Sequence, residues 1–235
     1  SHPGGTFSDL DQAGAVNTTS GMFDPSIATP GAHRIRYAFD ASCAVADTFL
    51  INVAGPAFAG DDTSLHLCTN NGAVDLFTLI GTGAQTGGTW IKPDGTVFNG
   101  TILPSAYSSG TYAYTHVVYG TAPCANDTAR VTITYQAAPQ AGTSGVLTIC
   151  SAEGAVALVN SLIGSPQTGG TWSGPSTVLN GLYDPASMTP GTYTYTASAP
   201  SPCMAATATV TVHEQQATTW YADGDGDGFG DGANP

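Results

Sequence analysis

Gln167-Thr168-Gly169-Gly170-Thr171-Trp172 repeats, letter for letter, the earlier string Gln85-Thr86-Gly87-Gly88-Thr89-Trp90. The copied string sits inside a longer one. Positions 150–212 begin with Cys150 and run on to Gly169-Gly170-Thr171-Trp172. Leu179-Asn180-Gly181-Leu182-Tyr183-Asp184-Pro185 and Thr189-Pro190-Gly191-Thr192-Tyr193-Thr194-Tyr195-Thr196 follow, then Pro202-Cys203 and the alternating Thr207-Ala208-Thr209-Val210-Thr211-Val212. Upstream, Gly110-Thr111-Tyr112-Ala113-Tyr114 matches Gly191-Thr192-Tyr193-Thr194-Tyr195, and Pro123-Cys124 matches Pro202-Cys203, at nearly the same offset. One step further back, Cys43 aligns with Cys124, and Phe7, behind Gly4-Gly5-Thr6, aligns with Trp90. Recurrence at one period marks tandem modules of about 80 residues, not one large domain.

The repeat assigns a module lacking its first strands to residues 1–56 and complete modules to 57–137 and 138–216. Residues 217–235 open a different, Asp-rich element. In the first module Met22-Phe23-Asp24-Pro25 stands for Leu182-Tyr183-Asp184-Pro185, and Thr48-Phe49-Leu50-Ile51-Asn52-Val53 is its closing strand. That module is expected to expose the edge groups of an incomplete sheet. Residues 64–68, 74–80, 111–118 and 129–135 read as strands of the second module, rich in β-branched and aromatic types. No helical period lasts more than two turns, so the class is all-β. Short strands punctuated by 30 glycines and 15 prolines point to a seven-strand sandwich in each complete module.

The chain carries 17 acidic against 4 basic residues, a net charge of −13, which excludes a basic footprint for nucleic acid. No apolar run reaches the length of about 18 residues that spanning a bilayer requires. Five cysteines are an odd number, and the repeat accounts for it. Each complete module has one cysteine well ahead of its Trp and another behind its Tyr-rich strand, which pairs Cys68 with Cys124 and Cys150 with Cys203. Cys43 is then unpaired in this stretch, its partner expected ahead of Ser1, so the chain reads as a piece of a longer exported protein. The Gly-x-Tyr steps at Tyr112 and Tyr193 fit a tyrosine corner, a phenol bonding back to upstream backbone. His33 takes that place in the first module.

Taken together, the cysteines, Gly-Gly-Thr-Trp, the Asn-Gly step, Gly-Thr-Tyr-Thr-Tyr and the closing Thr-Val alternation resemble the immunoglobulin-like repeats of very large surface adhesins and secreted proteins of Bacteroidota. The tail, Trp220-Tyr221-Ala222-Asp223-Gly224-Asp225-Gly226-Asp227-Gly228-Phe229-Gly230-Asp231, resembles the thrombospondin type 3-like calcium repeats of the same proteins. In loop arithmetic Asp223, Asp225, Asp227, the Phe229 carbonyl, Asp231 and Asn234 occupy the ligand positions of a hard-cation site, and calcium is the ion expected. Asn234 stands where an EF-hand has a bidentate Glu, and 218–221 reads as strand instead of helix. The alternative is a solvated acidic linker. Asp127-Thr128-Ala129 resembles the short O-glycosylation motif of that phylum, which makes Thr128 a candidate glycan site.

Trp90 and Trp172 could stack sugars, but their recurrence beside paired glycines reads as core. The five histidines do not recur beside a nucleophile and an acid, and the cysteines are assigned to pairing. The function expected is non-enzymatic: a structural or adhesive stalk or fibre of a secreted or cell-surface protein, stiffened by disulfides and calcium. Its partners would be neighbouring modules, copies of itself, surface glycans or other cells. Two alternatives stay open. One is a subunit of a self-assembling filament built by strand donation; the other is an accessory glycan-binding region of a secreted hydrolase.

Overall fold

A computed structural model of the protein describes residues 4–39 and 46–218. Its strands are β1 (Gly5–Asp9), β2 (Gly31–Phe39) and β3 (Ala46–Val53) in the first repeat. The second holds β4 (Thr63–Cys68), β5 (Val74–Asp75), β6 (Thr89–Ile91), β7 (Val97–Phe98), β8 (Thr101–Ile102), β9 (Gly110–Val118) and β10 (Asp127–Gln136). The third holds β11 (Gly145–Cys150), β12 (Val156–Ala157), β13 (Thr171–Ser173), β14 (Leu182–Tyr183), β15 (Gly191–Ala197) and β16 (Ala206–Gln215). The main sheets run β1-β2-β3, β4-β10-β9-β6-β7 and β11-β16-β15-β13, with the pairs β5-β8 and β12-β14 forming small second layers. The protein is all-β, and its complete repeats are immunoglobulin-like sandwiches. Seven strands form in the second repeat. The third has six, because the hairpin ahead of its Asn-Gly step is one residue shorter and leaves no counterpart of β7.

By packing, the described residues fall into two compact units. One comprises those of 1–65, 73–103 and 111–134; the other comprises those of 66–72, 104–110 and 135–235. In the second unit, alternation along β16 turns Ala208, Val210 and Val212 inward and the threonines outward. Tyr193 faces Val210 and Tyr195 faces Ala208 across the β15–β16 ladder. Ile149, Leu158 and Tyr183 complete this core, each contributing about 1.5–3 kcal/mol by leaving water. In the first unit, Ile35 is the buried centre of the β1-β2-β3 sheet, while Leu76, Ile80, Ile102, Tyr114, Val131 and Ile133 are buried in the second repeat.

One stretch departs from the strand expected of it. Residues 74–80 make only the two-residue β5, then a single 3-10 turn over Leu76–Leu79. Asp75 caps that turn by accepting the Phe77 N–H at 3.0 Å. Leu76 and Ile80, one helical turn apart, are both buried. A short apolar run fits either period, and the capping carboxylate decides for the turn.

The repeat is kept down to single hydrogen bonds. Gln85 N–H donates to the Phe58 carbonyl at 3.0 Å, and Gln167 N–H to that of Gln140 at 2.8 Å. In each pair the glutamine's side-chain oxygen accepts the return bond from backbone N–H, at 3.2 and 3.1 Å respectively. Asp62 accepts the Arg130 N–H at 2.7 Å; its counterpart Ser144 accepts the Thr209 N–H at 3.0 Å. The Asp62 carboxylate is therefore a strand-end anchor.

Candidate functional site

The cysteines carry the most consequential correction. Cys68 is bonded to Cys203, with Cα atoms 5.0 Å apart and 135 residues of sequence separation, while Cys124 and Cys150 are free thiols. The expected pairs Cys68–Cys124 and Cys150–Cys203 do not form, and the reason is strand direction. β11 lies parallel to β16, with Gly145 opposite Val210 and Cys150 opposite Gln215. Cys150 thus sits at the far end of the closing strand, whereas Cys203 precedes its start. The whole of β16 separates them, or about 30 Å at roughly 3.3 Å per residue, and a disulfide tolerates no more than about 7 Å between Cα atoms.

The second repeat follows the same rule. Asp62 meets Arg130 near the start of β10, and Thr69 N–H donates to the Gln136 carbonyl at its end, at 2.9 Å. Cys68 therefore finishes at the far end of β10, away from Cys124. The late cysteine of the third repeat waits there. Cys203 Sγ lies 3.4 Å from the carbonyls of Gln136 and Ala137, just past β10. The bridge ties the early cysteine of one repeat not to its own repeat but to the next.

Cys124 occupies the matching position one repeat earlier. Its thiol donates to the Ala54 carbonyl at 3.5 Å, just past β3. The turns that set the two sulfurs are also alike. Cys124 N–H donates to the Thr121 carbonyl at 2.9 Å, and Cys203 N–H to that of Pro200 at 3.1 Å. Both follow a cis X-Pro bond, at Pro123 and Pro202.

Aromatic residues line the other recurrent feature. Trp90 is buried, stacked on His116 at 4.8 Å between ring centroids and met edge-on by Phe98 at 6.3 Å. The imidazole of His116, itself buried, shares a hydrogen bond with the Ala59 carbonyl at 2.9 Å. Gly88 has to be glycine, because a Cβ there would stand 2.1 Å from His116 Nε2. Trp172 is only half-buried, tilted 5.0 Å from Tyr195; Leu179, which holds the place of Phe98 ahead of the Asn-Gly step, is 72% exposed. An open hollow of about 550 Å³ remains beside it, lined by Gly170, Trp172, Val178, Asn180 and Gly181.

The corner expected at Tyr193 is made: its hydroxyl donates to the Thr189 carbonyl at 2.6 Å. In the first repeat His33 makes the same bond by other means. Its Nε2 lies 2.7 Å from the Thr29 carbonyl, and Nδ1 lies 2.7 Å from Asp9 Oδ2. A carbonyl and a carboxylate both require a donor, so the geometry holds an imidazolium. The Thr29 carbonyl, then the Asp9 carboxylate, raise the pKa of His33 above the ordinary imidazole value. Burial works against the Asp9 charge, but N–H groups from Asp11, His33 and Gln12 outweigh it and lower its pKa. With both ring nitrogens engaged, this buried pair is a structural clamp with no lone pair left for a base.

Among the described residues, no three His, Cys, Asp or Glu side chains gather as a metal site. The candidate calcium loop of Asp223, Asp225, Asp227, Phe229, Asp231 and Asn234 lies outside the described residues, as does Cys43. Thr128 is exposed at the start of β10, beside Asp127, whose carboxylate accepts the Ala59 N–H at 2.8 Å.

No family model matches the sequence, and a search of curated proteins finds no match. Solved structures similar to the chain include three immunoglobulin domains of titin, I67–I69 in an E-to-A variant, at TM-score 0.42 and 13% identity over 92% of this chain and 89% of that one. Sidekick-1 immunoglobulin domains 1–5 give TM-score 0.30 and 15% identity over 90% and 52% of the two chains. Protocadherin Gamma B7 cadherin domains 1–4 give 0.30 and 10% over 91% and 67%. Likeness of this degree adds nothing to the sandwich that the sheets and cores define.

Proposed function

We propose that this chain is a structural, adhesive stretch of a secreted or cell-surface bacterial protein, a stalk or fibre whose repeats are tied to one another covalently. The observation that carries the reading is the Cys68–Cys203 bridge, which crosses from one sequence repeat to the next. Tension applied at the two ends passes through the bridge and bypasses the 135-residue separation it closes. A bond within one repeat would protect that repeat alone. A bond between repeats lets load pass along the array while the chain between the cysteines stays folded. Such bonds persist in oxidising, extracytoplasmic surroundings, and no helix among the described residues is long and apolar enough to cross a membrane.

Force spectroscopy on the whole chain tests this directly. Oxidised molecules should extend less than reduced ones by roughly 450 Å, the contour of the shielded segment at about 3.4 Å per residue. Equal extensions would overturn the proposal. Calcium at residues 223–234 would stiffen the tail of the same array. A melting temperature that rises with calcium and falls with chelator is the expected result, and indifference to both would remove the ion.

A further inference from the structure

The second and third repeats each set a tryptophan beside an Asn-Gly step, and they treat the pair differently. Trp90 carries His116 stacked upon it and Phe98 at its edge, and the carboxamide of Asn99 accepts the Thr101 N–H at 3.1 Å. A Cβ on Gly100 would stand 2.7 Å from the Trp90 indole. In the third repeat Tyr195 takes the cross-strand place of His116, and Leu179 turns out into water. A Cβ on Gly181 would stand 3.6 Å from Trp172 Nε1, so the backbone has drawn back from the ring. The space released is the hollow of about 550 Å³, within the range of about 300–1,000 Å³ usual for small-molecule sites.

The walls of the hollow come from residues 157–195 alone, all inside the complete third repeat. Tyr195 pairs with Ala208 near the start of β16, and the chain leaves that strand at Gln215, roughly 23 Å further on at about 3.3 Å per residue. Asn180 and Gly181 both have positive φ, +52° and +74°, and the Leu182 N–H closes their turn on the Leu179 carbonyl at 3.0 Å. Asn-Gly suits such a turn. It holds the Asn180 carboxamide at the wall, and no described residue engages it. Thr168 and Thr171 add hydroxyls, Val178 adds apolar surface, and no charged side chain lines the hollow.

We propose that this hollow is a binding site for a neutral pyranose unit of a glycan. The open part of the indole takes the C–H face of the sugar ring. The indole N–H, the Asn180 carboxamide and the threonine hydroxyls bond the ring hydroxyls. A purely apolar ligand would leave those groups without partners. An anionic sugar would meet no cation in the wall and a chain of net charge −13 around it. Trp90 offers no such platform, because protein groups already hold both its ring and the amide beside it. The inference stands apart from the tension-carrying reading, since neither Cys68 nor Cys203 lines the hollow.

The test titrates methyl β-galactopyranoside and methyl β-glucopyranoside into the intact chain labelled with nitrogen-15. The Trp172 indole signal is assigned by its loss in Trp172→Phe. At least one of the two sugars should move it saturably in the millimolar range, while the Trp90 signal stays in place. Asn180→Gly keeps the left-handed turn and removes the amide; Thr171→Val removes one hydroxyl at nearly constant shape. Each should weaken binding about fivefold, the share of one hydrogen bond. Val178→Phe fills the hollow and should abolish the shift while the amide signals of the β15–β16 ladder persist. No saturable shift with either sugar, a shift shared equally by Trp90, or undiminished binding in both Asn180→Gly and Thr171→Val would overturn the proposal. So would methyl β-glucuronide binding as tightly as the neutral sugars, or self-association through Trp172 that the sugars do not displace.

Discussion

β16 and β3 close the third and first repeats, and they live in different surroundings. β16 lies between β11 and β15, its inward residues Ala208, Val210 and Val212 all buried. Among the described residues β3 has β2 on one side and no strand on the other, and it keeps Phe49 and Leu50 in water. Ahead of β16 stands a bonded cysteine; the one ahead of β10, posed at the end of β3, is free. Two strands of like sequence role thus differ through what is laid beside them, because a strand's stability belongs to its cross-strand neighbours more than to its own residues.

The sharpest way to break the comparison is to remove the staple. Cys203→Ser, or Cys68→Ser, should cost roughly 5 kcal/mol in the chain-entropy picture for a loop of this size. Guanidinium unfolding of the two variants and of the parent checks the figure. Peptide mapping without reductant should recover Cys68 joined to Cys203; recovery of Cys68 joined to Cys124 would reverse the parallel register on which the contrast rests.

Core truncation is the next test. Val210→Ala in β16 should cost about 2 kcal/mol, from lost transfer energy and the cavity left behind. Leu50→Ala in β3 should stay within about 0.5 kcal/mol, as exposed sites do. A large loss at Leu50 would mean that the edge is covered in solution.

The sequence made some of this contrast visible and hid the rest, for physical reasons. Copied words at a fixed spacing placed the closing strands, because alternation tells which side chains turn inward. Alternation is silent on whether a neighbour runs parallel or antiparallel, and the cysteine pairing depends on that direction alone. An antiparallel first strand would have brought Cys150 to Cys203; the parallel one carries it a strand's length away. The aromatic positions were legible as core, but the half-exposure of Trp172 follows from a hairpin one residue shorter than its twin. His33 could be matched to the corner tyrosines by register. Its charge could not, because Asp9 comes from 24 residues upstream.

The corners extend the comparison at lower cost. Tyr193→Phe removes the hydroxyl donor to Thr189, and about 1 kcal/mol should be lost in the third repeat. The corresponding bond in the first repeat needs a protonated imidazole, so pH itself should break it.

His33 has a raised pKa in the folded chain, so its contribution is fully present below the ordinary imidazole value and is lost as pH climbs through the raised one. Asp9 has a lowered pKa, so its contribution is present above the usual carboxylate range and lost as pH falls through the lowered value. The clamp is therefore whole between those limits, and mild alkali should loosen the first repeat while leaving the Tyr193 corner intact. Hydrogen exchange resolved by segment gives the readout: amides of β2 should exchange faster than base catalysis alone predicts once pH passes the raised value, and those of β15 should not. His33→Asn, which cannot hold the charge, should abolish the extra acceleration. If β2 and β15 respond alike to pH in the parent chain, the imidazolium is not what holds the first corner, and the two corners differ in residue type alone.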